Sequence, residues 1–219
     1  MADTIIPTSL ATARTQVLSL CNDADVGFFT GTEIDNWIKE GCVDISSKAH
    51  ACEAVDHITL AADTLSYTDL DTLGSASVSR IVKVAGMVFS DGSGKYKGMV
   101  RTTPRLLGHL AQKAKGEPKY YLHWNKTIYL MPLTTSSVVA AGGKAMVFFS
   151  KITDDITELS DWYQPAAILF AFSRALLKDG KVASSNSVYS RYLNGLMFHR
   201  ADLFDLPADV KEDFRLQDR

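Results

Sequence analysis

Apolar side chains recur at helical spacing through the first fifty residues. Leu10, Ala13, Val17 and Leu20 fall on one side of a helix that Thr8 or Ser9 can cap and that Asn22-Asp23 ends. A stronger signal follows, because Thr30-Gly-Thr-Glu33 has the form of a capping box and precedes Ile34, Trp37, Ile38, Cys42, Ile45 and Ala49 at spacings of three and four. The opposite side carries Glu33, Asp35, Lys39, Glu40 and Asp44, which predicts an amphipathic helix over 32–53.

From His57 to Ile152 the period changes. Thr, Val, Tyr and short apolar runs alternate with glycine-containing turns at 73–75, 91–94 and 141–143, the signature of strands and hairpins. Strands are predicted at 58–60, 78–84, 86–89, 120–124, 127–131 and 144–149, with Asn125-Lys126 as a two-residue hairpin turn and a short helix over 103–114. The last third is helical again. Pro165 stands in a first turn, 166–177 is apolar almost all round, and Asp179-Gly180 stops it. Such a helix must be covered by protein on more than one side. A further helix from Ser184 or Ser185 to His199 aligns Val188, Tyr192, Leu196 and His199. The expected architecture is α+β: a bundle of about four helices drawn from 1–55 and 156–200, a β-rich antiparallel insertion over 56–155, and a C-terminal segment, 201–219.

Composition bounds the class. The 219 residues are 46% hydrophobic and 22% charged, enough to bury a core without metal or disulfide. A net charge of -2 argues against a generally basic nucleic-acid binder. That total conceals a partition: residues 1–79 hold three basic and twelve acidic side chains, 80–126 ten and two, and 127–219 ten and eleven. Blocks of opposite sign either face solvent separately or serve as complementary surfaces between copies in a homo-oligomer, and the second reading is favoured. Cys21, Cys42 and Cys52 read as reduced thiols acting as small hydrophobes. The first ten residues have no basic stretch before an apolar one, and 127–143, the longest uncharged run, contains Pro132 and two glycines, so neither a signal peptide nor a membrane span is expected.

Catalytic and ligand motifs fail on inspection. Gly92-Ser-Gly94-Lys95 has phosphate-loop vocabulary, but Phe89 and Tyr96 stand where a Walker loop needs Gly and Ser or Thr, and Lys97 stands where a dinucleotide fingerprint needs its third glycine. Asp69-x-Asp71-x-x-Gly74 starts like a calcium loop yet has Arg80 at the position of the bidentate glutamate. His50, Cys52 and His57 match no common zinc spacing, and Asp154-Asp155 reads as ordinary charge before a helix. No catalytic, cofactor or metal residue is assigned, and the chain is expected not to be an enzyme.

The order of elements carries a resemblance. A capped helix with Ile34-Asp-Asn-Trp37-Ile38, a strand-rich middle, Gly116-Glu-Pro-Lys-Tyr120-Tyr121 leading to a hairpin that ends Ile128-Tyr-Leu-Met-Pro132, and Trp162-Tyr-Gln-Pro165 opening an apolar helix before Tyr189 and Tyr192 together resemble the head-to-tail connector, or adaptor, proteins of tailed bacteriophages. The resemblance spans nearly the whole chain and rests on structural motifs. It implies a structural virion protein at the head-tail junction, assembled in the host cytoplasm. It also implies a dodecameric ring that binds the portal, meets a tail or tail-nozzle protein, and surrounds packaged DNA. Portal docking would fall to the C-terminal segment, with Leu203, Phe204, Leu206, Val210 and Phe214 as anchors. A few adaptors are muralytic, but no residue here takes such a role. The alternative is a nucleic-acid-binding module that uses Lys95, Lys97, Arg101, Arg105, Lys113 and Lys115 for phosphates and Tyr96, Tyr120 and Trp124 for stacking.

Overall fold

A computed structural model describes residues 9–23, 27–67, 81–106 and 115–202. The chain divides into two compact units, a helical one made of Met1–Ala51 and Asp154–Arg219 and a sheet unit, Cys52–Thr153.

In the helical unit, α1 (Leu10–Cys21) starts at Ser9, whose hydroxyl accepts from the Thr12 amide at 3.2 Å, and ends on Asn22 in the left-handed region. Helix α2 (Gly31–Ala49) opens on the capping box, with the Glu33 amide donating to the Thr30 hydroxyl and the Thr30 amide donating back to the Glu33 carboxylate. It stops at His50, also left-handed, four residues short of the predicted end, because the chain turns there into a strand. A 3-10 turn (Ile156–Glu158) leads to α4 (Gln164–Lys178), numbered after a short α3 in the sheet unit, and then to α5 (Val182–Asp202). Ile34, Ile38, Cys42 and Ile45 of α2 are fully buried, as are Ala167, Ala171 and Ala175 of α4 and Tyr192 of α5. Gly41 lets α2 approach α4 closely, since a Cβ there would stand 3.1 Å from the Phe170 ring. Three buried hydroxyls in this core are bonded: Ser173 donates to the Phe170 carbonyl, Ser185 donates to the Ser173 carbonyl, and the Tyr192 hydroxyl donates to Asp44 at 2.5 Å.

The sheet unit overturns the expected architecture. Its seven strands are β1 (Glu53–Thr59), β2 (Ser66–Tyr67), β3 (Ile81–Ser90), β4 (Tyr96–Arg101), β5 (Tyr120–Trp124), β6 (Thr127–Met131) and β7 (Lys144–Lys151), in the order β1-β7-β3-β4-β5-β6-β2. The strand-rich sheet, not a bundle of about four helices carrying an insertion, dominates the α+β fold, and the sheet is mixed rather than antiparallel. The cause is the link between β4 and β5. Instead of a hairpin, the chain leaves Arg101 and returns at Lys119, so β5 enters parallel to β4, with the Val100 amide donating to the Lys119 carbonyl and the Thr102 amide to the Tyr121 carbonyl. Strand β4 escaped prediction because only Met99 of its six residues is buried. The predicted pair 78–84 and 86–89 is one strand, β3, with a register shift between Val84 and Gly86; its first three predicted residues lie outside the described ones. The helix expected over 103–114 falls on described residues only at 103–106, of which 104–106 are helical, and the short α3 (Ser136–Ala140) was not anticipated.

One face of the sheet is the core: Ile58, Val84, Met87, Phe89, Met99, Tyr121, Ile128, Leu130, Ala145, Val147 and Phe149 pack together. The Asn125-Lys126 hairpin forms with both residues at positive φ, the geometry of a type I′ turn.

Candidate interaction surfaces

The two units dispose of their charges differently. On α2, Asp35 pairs with Arg14, Glu40 with Arg174 at 3.1 Å, Asp44 with Lys48 at 2.7 Å, and Glu33 with Lys178 at 2.8 Å. The Lys178 ammonium also stands 5.1 Å from the Phe28 ring and 5.6 Å from Phe29. Its hydrogen bonds, with those from Thr30, hold the Glu33 carboxyl down to about 2. The acidic side of α2 is therefore answered within its own unit.

The sheet unit leaves cations open. By sequence it nets +5 and the helical unit −7. Lys83, Lys95, Arg101, Arg105, Lys119 and Lys144 are exposed and enter no ion pair among the described residues. Of the predicted basic set, Lys95 lies in the β3–β4 turn, Arg101 ends β4, and Arg105 lies in the helical turn beyond. Lys97 is committed to Glu117, and Lys115 to Asp63 at 2.5 Å. Lys113 lies outside the described residues, as do Leu203, Phe204, Leu206, Val210 and Phe214. The predicted stacking residues do not form one platform. Tyr96 and Trp124 are 62% and 61% exposed, but Tyr96 begins β4 and Trp124 ends β5, and these strands run parallel with Val100 beside Tyr120, so the two rings stand at opposite ends. Burial, aided by Arg101, lowers the pKa of His123, so no imidazolium adds to the positive charge at neutral pH.

The outer face of the sheet, which the sequence reading missed, is apolar at its centre. The register aligns Val55, Phe148 and Gly86 in one row across β1, β7 and β3, and His57, Met146, Val88 and Gly98 in the next, reaching β4; Thr59, Lys144, Ser90 and Tyr96 form the third. Val55 and Val100 are each 52% exposed and Phe148 is 36% exposed. A Cβ built on Gly86 or on Gly98 would meet nothing within 4 Å, so both glycines leave open floor between larger neighbours. Glycines placed two apart from Val88 and Val100 were the available signal, but the consecutive Phe148-Phe149 hid the alternation of β7.

The helical unit carries one contrasting feature, the loop before α4. Asp154, Asp155, Glu158 and Asp161 are exposed, no Lys or Arg stands between Lys151 and Arg174, and Trp162 is 73% exposed. Asp155 caps the 3-10 turn through the Thr157 amide.

Cys21, Cys42 and Cys52 are free thiols, and burial pushes Cys42 up to about 12 and Cys21 to about 11, far from a reactive thiolate. Among the described residues no cluster of His, Cys, Asp and Glu suits a metal, and no helix is long and apolar enough to cross a membrane. No protein-family model matches the chain, and no curated protein matches it in sequence.

Proposed function

We propose that the chain is a mechanical subunit of a ring: the adaptor that joins a bacteriophage portal to the tail and surrounds the DNA channel at the head-tail junction of the virion. The observation that carries this reading is one chain with two unlike exposed surfaces, a sheet unit with an exposed apolar face and six cations without an ion pair among the described residues, and a helical unit whose exposed loop is acidic and aromatic. Unlike surfaces on one subunit suit head-to-tail association, which forms a ring when the rotation between neighbours closes. The element order resembling phage connectors supports the adaptor over other ring proteins, and the apolar tail anchored by Phe204 and Phe214 suits docking on a portal. The test is the mass of the protein alone and after mixing with its portal. Co-sedimentation as a closed oligomer that weakens above ~0.15 M salt, where screening acts within about 8 Å, is expected. A monomer that never joins the portal overturns the reading.

A second reading, a single-stranded nucleic-acid module, draws on the same open cations and on the exposed rings of Tyr96 and Trp124. It predicts retention of oligo(dT) with an affinity that falls steeply with salt.

A further inference from the structure

We infer that an exposed stripe of α5 in one copy of this chain packs on the outer face of β1, β7, β3 and β4 in a second copy. The inference rests on the ring reading and names its interface. Helix α5 has two apolar sides. Val188, Tyr192 and Leu196 are buried in the helical unit, whereas Val182, Tyr189, Leu193 and Met197, which with Asn186 repeat at spacings of three and four, are 52%, 36%, 37% and 72% exposed. Tyr189 also touches the rings of Phe170 and Tyr192, so the free surface of the stripe belongs mostly to Val182, Leu193 and Met197. A helix that faces water ordinarily turns charge outward. From Val182 to Met197, however, α5 holds a single charged residue, Arg191, about half a turn away from Leu193.

The sheet face matches the stripe in chemistry and in size. Its two central rows, Val55, Phe148 and Gly86 and then His57, Met146, Val88 and Gly98, hold no Asp, Glu, Lys or Arg. Glu53, Lys83 and Lys144 stand in the end rows, where long stems can lie along a helix while their charges stay in water. Neither surface therefore has to strip a charge of water at its centre, and depletion of charge there is a mark of interface cores. Val182 to Met197 spans roughly 22 Å of helix, and β1 from Glu53 to Thr59 spans roughly 20 Å of strand. Gly86 and Gly98 leave open floor for the larger side chains of the stripe. The exposed apolar side chains of the two surfaces, Tyr96 and Val100 included, amount to on the order of 1,000 Å², the size a specific contact needs. The loop before α4 is a poorer occupant, because Asp155, Glu158 and Trp162 already interact within the chain. Since stripe and sheet face are different parts of the chain, the contact is head to tail.

The experiment uses two variants of the full chain that each lose one side. Met197→Lys spoils the stripe and leaves the sheet face; Phe148→Asp spoils the sheet face and leaves the stripe. Sedimentation velocity is expected to show wild-type oligomers, a loss of self-association of roughly 30-fold or more for each variant alone, and one-to-one heterodimers when the two are mixed. Gly98→Val, which fills the floor where a Cβ meets nothing within 4 Å, is expected to dissociate the oligomer with an unchanged melting temperature, so loss of folding is not mistaken for loss of contact. Oligomers that persist in both Met197→Lys and Phe148→Asp, that only one of the two dissociates, or that give no heterodimer on mixing overturn this contact and leave the ring reading standing. A monomeric wild type, alone and with portal, overturns both. Oligo(dT) binding that Phe148→Asp and Gly98→Val abolish, with an oligomeric state indifferent to either, assigns the face to nucleic acid and overturns the proposal.

Discussion

Helix α2 in the helical unit has its carboxylates answered within that unit, whereas many cations of the sheet unit are not answered. Four carboxylates of α2 meet four cations from α1, α2 and α4, and buried hydroxyls find carbonyls one turn away or across the helix pair. In the sheet unit six exposed cations have no ion pair among the described residues, and one face of the sheet exposes apolar side chains. The difference teaches that charge counts along a chain do not locate interaction surfaces; what matters is which charges remain after the fold has paired its own. Four of the twelve carboxylates in the acidic block at 1–79 are spent on holding helices together, and five of the ten cations in the basic block at 80–126 remain without an ion pair among the described residues.

The largest effects that would break this contrast come from neighbouring phenylalanines on one strand. Phe149 is 2% exposed in the sheet core, and Phe148 is 36% exposed on the other face. Phe149→Ala is expected to destabilise by about 3–5 kcal/mol in urea unfolding, the range for emptying a core aromatic site. Phe148→Ala is expected to lie within about 0.5 kcal/mol of wild type, as surface changes do, while weakening self-association. Equal losses for both would place Phe148 in a core and remove the outer face from consideration.

Next in size is the polar bond inside the helical core. Tyr192 is fully buried against Phe170, ring centroids 5.4 Å apart, and burial together with the bond to Asp44 raises its pKa. Tyr192→Phe keeps the ring and removes the hydroxyl that donates to a carboxylate. A loss of about 1.5 kcal/mol is expected, at the lower end for a hydrogen bond to a charged group because Asp44 retains Lys48. Denaturant titration reads it; a neutral result would mean that the internal pairing contributes nothing beyond packing.

How much of this was legible beforehand follows from the kind of signal each element carries. The capping box at Thr30, the apolar stripe of α2 and the Val188, Tyr192, Leu196 stripe of α5 were readable because a helix places its partners within four residues. The Asn125-Lys126 hairpin was readable for the same reason of locality. The parallel β4–β5 pairing was not, since it depends on where the chain returns after Arg101. Nor were the strand β4, with one buried residue, or the outer face, whose rows are assembled from four strands spread between Glu53 and Lys151. The pairing of α2's carboxylates was invisible too, because three of the four cations come from α1 and α4.

A smaller effect sharpens the comparison through pH. Glu33 is held at about 2, below its ordinary carboxylate value, first by Lys178 and then by Thr30. A carboxyl whose folded pKa is depressed adds stability that is present in full above its unfolded pKa, about 4.3, and that is lost as pH falls toward 2. The melting temperature of the wild type should therefore fall over that window. Glu33→Gln should lower it at neutral pH and flatten part of the acid slope; Lys178→Met should do the same, since it removes the first cause of the shift. An acid slope unchanged by both substitutions would mean that the clasp between α2 and α4 is not electrostatic.

The smallest effect expected lies back in the sheet unit, at Lys126. Its φ is 63° in the hairpin turn, a left-handed conformation that side chains other than glycine adopt at a cost of about 1–2 kcal/mol. Glycine at that place removes the steric cost but adds conformational entropy to the unfolded chain, which takes back about 0.5–1 kcal/mol. Lys126→Gly is therefore expected to stabilise the protein by roughly 0.5 kcal/mol, a rise that differential scanning calorimetry can read against wild type. The change also removes a cation without touching the outer face at Phe148 or the stripe at Met197, so self-association should stay at the wild-type level. An association constant that dropped with Lys126 would show that the bulk charge of the sheet unit, rather than the apolar outer face of β1, β7, β3 and β4, governs what the protein binds.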